Sequence, residues 1–173
     1  MSDQGSTAAD CAAMGALAEA HKGFKPFVGT FSAEVKLWMG PGEPHVSTGV
    51  MTNTLDLGGR FLRQDYKGDP GGGPFENFEG RGYWGYNTTT KKYEGFWIDS
   101  ASTFMQHDSG DLDASGKVWT MIGEMVDPQS GGSLRKRSVI TLKDNDHHQL
   151  EMFFKGPDGK ESKAMEIRYA RKH

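Results

Sequence analysis

Thr30-Phe-Ser-Ala-Glu-Val-Lys-Leu-Trp-Met39, then Gly40-Pro-Gly-Glu-Pro44, then His45-Val-Ser-Thr-Gly-Val-Met-Thr-Asn-Thr-Leu55, is the stretch that decides the fold. In its first part Phe31, Ala33, Val35, Leu37 and Met39 alternate with Ser32, Glu34 and Lys36. That is the period of two by which a strand shows one apolar and one polar face. The first set is expected to point inward and Trp38 outward. Two glycines and two prolines in five residues then make a turn, after which a second run begins. The same texture continues to the C-terminus and predicts ten strands, over 30–39, 45–55, 60–67, 78–86, 92–99, 103–108, 117–126, 133–143, 147–154 and 160–171. Most connectors between them are short and carry turn residues, such as Gly58-Gly59, Asp144-Asn-Asp146 and Gly156-Pro-Asp-Gly159. No interval resembles a crossover helix, so the sheet reads as antiparallel. Ten twisted strands avoid open edges by closing. The expected fold is all-β, an antiparallel up-and-down barrel of about ten strands.

Upstream the spacing changes. Thr7-Ala-Ala-Asp10 has the form of a helix start, and Cys11, Met14, Leu17, Ala18 and His21 recur at helical spacing before Gly23 and Pro26. A short helix is expected over residues 7–22, with residues 1–6 disordered and residues 7–173 forming one domain.

The 173 residues suffice for one domain with a substantial core. Met, Phe, Trp and Tyr number 28 against 20 Leu, Ile and Val, so the interior is built largely from rings and thioethers. A net charge of −3 gives no general attraction for nucleic acid or an anionic membrane. The single Cys11 forms no internal disulfide, and Met1-Ser-Asp-Gln-Gly-Ser6 lacks the features of a signal peptide, so a cytoplasmic location is expected.

Several constellations invite chemistry. In 92–99, Tyr93, Gly95, Trp97 and Asp99 share a face, which either aims a carboxylate and an indole into a cavity or lets Asp99 reach solvent at the strand end. In 117–126 both faces are partly apolar, so Trp119 and Met121 on one side and Glu124 on the other all stay candidates. Asp111-x-Asp113-x-Ser115-Gly116 imitates a calcium loop but carries Ile122 where a bidentate Glu is required. His147 and His148 are adjacent, so on a strand they point to opposite faces and cannot share one ion. His107 with Asp108 is a further pair, and Arg135 and Arg137 form either a solvated outer rim or an inward anion partner. Asp69-Pro-Gly-Gly-Gly-Pro74 reads as a flap over the barrel mouth, without the Gly-Lys-Ser/Thr of a phosphate loop. Asn87-Thr-Thr89 is a formal glycosylation sequon.

Phe27-Val-Gly-Thr-Phe31 with Glu34-Val-Lys-Leu-Trp-Met-Gly-Pro-Gly42, and in order Gly58-Gly-Arg-Phe-Leu62, Trp97-Ile-Asp-Ser100, Gly123-Glu124, Gly156-Pro-Asp-Gly-Lys160 and Met165-Glu-Ile167 with Tyr169, resemble a bacterial family catalogued as domain of unknown function 1579. The resemblance spans about residues 24–172 and implies a calycin-like barrel with no established activity. Gly29-Thr30-Phe31 also resembles the G-x-W that opens lipocalin barrels, with Phe in place of Trp. That likeness implies a C-terminal arginine packed over the ring, with Arg168 and Arg171 as the candidates. Nitrobindins have a similar opening but hold haem through a histidine late in the barrel. Residues 160–171 contain none, so no cofactor is expected.

Three functions follow as expectations. The first is a binding module for one small, largely apolar ligand, lined by Tyr86, Trp97, Asp99, Trp119, Met121 and Glu124. The second is an enzyme with Asp99 or Glu124 as general base. The third is a structural role in which Trp38 contributes to self-association into a homo-oligomer.

Overall fold

The computed structural model of the protein describes residues 8–127, 130–156 and 159–173. Ten strands, β1 (Gly29–Leu37), β2 (His45–Asp56), β3 (Phe61–Gly68), β4 (Glu79–Asn87), β5 (Lys92–Asp99), β6 (Gln106–Leu112), β7 (Val118–Val126), β8 (Ser133–Leu142), β9 (His147–Lys155) and β10 (Glu161–Arg171), follow one another around a closed barrel. Every neighbouring pair is antiparallel, and β1 closes the ring against β10 from Phe31 opposite Arg171 to Leu37 opposite Met165. The up-and-down barrel expected from the alternation is the fold observed.

The ladders fix the faces, because directly paired residues share a side. Phe31 pairs with Met51, Trp84 with Gly95, and Trp119 with Ile140, all inward. Met39, expected inward, lies past the end of β1 and is exposed. Trp38 is outside and partly buried, with the Lys163 ammonium 6.0 Å from its ring centre. The sixth strand was expected at 103–108 and runs from Gln106 to Leu112. Its pairing extends through Gly110, where a side chain on the glycine would stand 1.8 Å from the Thr120 carbonyl oxygen. The period-two reading had no way to extend the run through a glycine packed against a neighbouring backbone.

The N-terminal segment also differs from expectation. Its helix is α1 (Ala8–Met14), followed by a 3-10 segment, Glu19–Phe27, that includes Gly23 and Pro26. The helix start at Thr7 and the proposed disordered residues 1–6 lie outside the described residues. Met14 and Leu17 of the anticipated stripe are exposed, whereas the 3-10 segment buries His21, Phe24 and Phe27. Gly15 weakens the helix, and the larger apolar reward lies in the two phenyl rings downstream.

Phe24 and Phe27 plug one end of the barrel. They pack with Leu62, Trp84, Tyr93, Trp119 and Met121 in a cluster of tilted and edge-on rings. Arg171 locks this plug. Its guanidinium lies 4.5 Å from the Phe31 ring centre and donates to the carbonyls of Pro26, Val28 and Asn145. Of the two latch candidates, Arg168 instead points outward to Glu166.

Candidate functional site

The two halves of the interior are built differently. Toward the plug, the inward side chains of Leu62, Trp84, Tyr93, Trp119 and Met121 are buried. Toward the opposite end, the inward side chains of Val35, Trp97, Asp99, Gln106, Met125, Leu134, Leu150, Met152, Phe154 and Ile167 all remain partly exposed, although each points into the barrel. In that half, here termed the chamber, Val35, Trp97, Leu150 and Ile167 pack against a second buried cluster of Phe31, Ala33, Met51, Tyr66 and Tyr169.

The chamber has one apolar wall, from β8, β9, β10 and β1, and one polar wall from β5, β6 and β8. Trp97 lies over strand β4, where side chains on Gly80 and Gly82 would stand 2.1 and 2.8 Å from its ring atoms. The two glycines clear a bed for the indole. Its Nε1 donates to Asp99 Oδ2 at 3.1 Å, and the Ala101 amide donates to the other carboxylate oxygen at 3.1 Å. Across the ladder from Trp97 is Gln106, which accepts from Lys136 Nζ at 3.3 Å. Lys136 Nζ also lies 3.2 Å from Asp108, with the lysine side chain 6% and the aspartate side chain 17% exposed. Asp108 faces inward between Gly95 and Gly123, which leave room for it. A buried pair of this kind holds its geometry because either partner alone would be an uncompensated charge.

Of the six residues expected to line a site, the structure brings only Trp97 and Asp99 together in the chamber. Trp119 and Met121 belong to the packed plug. Tyr86 faces inward beside the plug, 5.0 Å from Tyr93 and 5.8 Å from His21 between ring centres. Glu124 is exposed and points outward opposite Arg135, into a shallow outer groove of about 400 Å³ shared with Glu94 and His107. The alternation Trp119, Met121, Gly123, Met125 faces in, because it alone places large rings and thioethers against the plug.

Lys136, Asp108 and Gln106 were missed as a group. The signal was present in Arg135-Lys-Arg137, since two outward arginines force the lysine between them inward. Arg137 does face out, paired with Glu161 at 2.7 Å and stacked 4.3 Å from the Phe153 ring centre. The pair His107-Asp108 divides in the same manner, with His107 exposed outside.

The histidine pair also splits. His147 is exposed and meets Asp144 at 3.0 Å, while His148 is buried against Tyr169, Phe31 and Phe27. Burial first, and then the nearby Arg171 charge, push the His148 pKa down to about 3. Tyr169, wholly enclosed, is pushed well above the usual phenol range by burial and then by Tyr66. His148 is therefore a neutral ring of the interior. Asp113 closes the hairpin between β6 and β7, accepting from Ser115 and from the amides of Lys117 and Val118. Among the described residues no three His, Cys, Asp or Glu side chains are grouped to hold a metal ion. Nor is any described helix long and apolar enough to cross a membrane. The 69–74 connector lies at the chamber end, where the Asp69 carboxylate accepts from Thr48 Oγ1 at 2.6 Å.

Among solved structures, the crystal structure of Rv2717c from M. tuberculosis is similar, with a TM-score of 0.64 at 14% identity, covering 91% of this chain and 100% of that one. A de novo designed fluorescence-activating β-barrel gives a TM-score of 0.47 at 13% identity over 90% of this chain and 100% of the design. A redesigned β-barrel gives 0.46 at 13% identity over 91% of this chain and 99% of the design. No curated protein matches the sequence. Residues 17–171 match a family described as a protein of unknown function, DUF1579. With that match covering nearly all of the barrel and the barrel itself closed as the resemblance implied, the chain belongs to the DUF1579 family.

Proposed function

We propose that this protein binds one small, largely apolar molecule in the open half of its barrel. The observation that carries the reading is that Trp97, Asp99, Met125, Leu134, Met152 and Phe154 point into the barrel at the end away from the plug and stay partly exposed there. Small barrels have room for side chains or for one small ligand, and beyond the second buried cluster the inward side chains at this end are only partly covered. Met125, Met152 and Met165 in the wall adapt to an irregular guest. A cavity base finds less support. Glu124 is outside, and Asp99 already accepts from two N–H groups.

The test is a titration with an environment-sensitive anilinonaphthalene probe, alongside native mass spectrometry of protein purified from its host. One probe per barrel is expected, with affinity falling by at least about tenfold in Met152→Trp, which fills the chamber. No fluorescence gain, or a gain that Met152→Trp leaves intact, overturns the reading.

A further inference from the structure

We infer that the chamber selects ligands whose polar end is a cation, an amine or quaternary ammonium carried on an apolar body. This rests on the chamber being a binding site and adds the chemistry of the guest.

The inference starts from the charges that face inward. Lys136 and Asp108, 3.2 Å apart, neutralise one another, and the Gln106 amide oxygen accepts a further hydrogen bond from the lysine. That pair offers no net charge to a guest. Asp99 differs. It faces inward opposite Gly80 and is partly exposed, and among the described residues no Lys, Arg or His reaches within 4.0 Å of its carboxylate. Its two partners, the Trp97 indole and the Ala101 amide, are neutral donors, one on each oxygen. An ionised carboxylate has about four acceptor positions, so acceptor capacity and the whole negative charge remain for a guest.

Trp97 supplies the second half of the recognition. Gly80 and Gly82 hold its indole against the β4 backbone, and the ring, packed also against the cluster of Phe31, Ala33, Met51, Tyr66 and Tyr169, stays partly exposed beside Asp99. A ring face beside a carboxylate is the arrangement that attracts an ammonium group, through the quadrupole of the ring and the charge of the acid together. An anionic head fits poorly. It meets Asp99 at the rim, and the one inward cation of the polar wall is nearly buried and already held by Asp108 and Gln106. Across the chamber, Leu134, Leu150, Met152, Phe154 and Ile167 provide the surface for the apolar body.

The experiment compares decylammonium, decanol and decanoate at pH 7 and physiological ionic strength by calorimetry, so that only the head group changes. Decylammonium is expected to bind at least about tenfold more tightly than decanol, with decanoate weakest. Asp99→Asn, which keeps the shape and one acceptor, should bring decylammonium to within about twofold of decanol measured on the same variant. Equal affinities, a preference for decanoate, or a cation preference that survives Asp99→Asn overturns the inference while leaving the binding reading in place. Failure of all three to bind overturns both. The head-group ranking in the unaltered protein stands as a test even if the variant does not fold.

Discussion

His148 is a titratable ring with no room for its charge. It stacks on Tyr169 at 4.3 Å between ring centres and lies edge-on to Phe31 at 4.7 Å, so protonation would place a cation among rings and next to Arg171. Its pKa is about 3 in the fold against an ordinary 6.5, so below pH 6.5 the unfolded chain takes up the proton first. The stability that comes from keeping the ring neutral is complete above that pH and is lost as pH falls toward 3, by about 1.4 kcal/mol per unit well below 6.5. Glu161 and Glu166, held below their ordinary value of 4.5 chiefly by hydrogen bonds from Arg137 and Lys163, add their own acid loss only below that value. Urea midpoints measured between pH 6.5 and 4.5 are therefore expected to fall in the native protein and to stay nearly flat in His148→Phe.

At the scale of elements, the two N-terminal pieces divide unequally. The described part of α1 leaves Met14 72% exposed, while the 3-10 segment fully buries Phe24 against Trp84 and Tyr93. Phe24→Ala would open a cavity in the plug and is expected to cost about 3–5 kcal/mol. Met14→Ala should change stability by less than about 0.5 kcal/mol. Chemical denaturation of both variants checks the assignment, and equal effects would return the packing role to the helix. The period-3.6 stripe was a real pattern in the sequence that did not decide the packing. Propensity is a weak prior, and the barrel end offers more to two phenylalanines than to Met14 and Leu17.

For the molecule as a whole, closure depends on the last strand meeting the first. Arg171 joins the plug, β1, β10 and the turn before β9 through carbonyls of Pro26, Val28 and Asn145 and the Asp146 carboxylate. Arg171→Met leaves those carbonyls without their donor and is expected to destabilise by about 2–4 kcal/mol. Arg168→Met removes only a mainly exposed outer pair with Glu166 and should cost less than about 1 kcal/mol. Thermal or urea unfolding of the two distinguishes the latch from its neighbour.

The sequence by itself determined the barrel: ten alternating runs, short turns and no crossover leave an antiparallel meander with edges that must close. It also determined that His147 and His148 part company and that Trp97 and Asp99 share a face, since both follow from a period of two. Only the tertiary structure decided which face of β7 turns inward, which arginine is the latch, and that Trp119 and Met121 belong to a packed plug rather than to a shared site with Trp97 and Asp99. Alternation assigns residues to two sides without saying which side is the core when both are apolar. The meeting of Lys136 with Asp108, and of Trp97 with the glycines of β4, joins residues brought together by register across several strands, which local spacing does not encode.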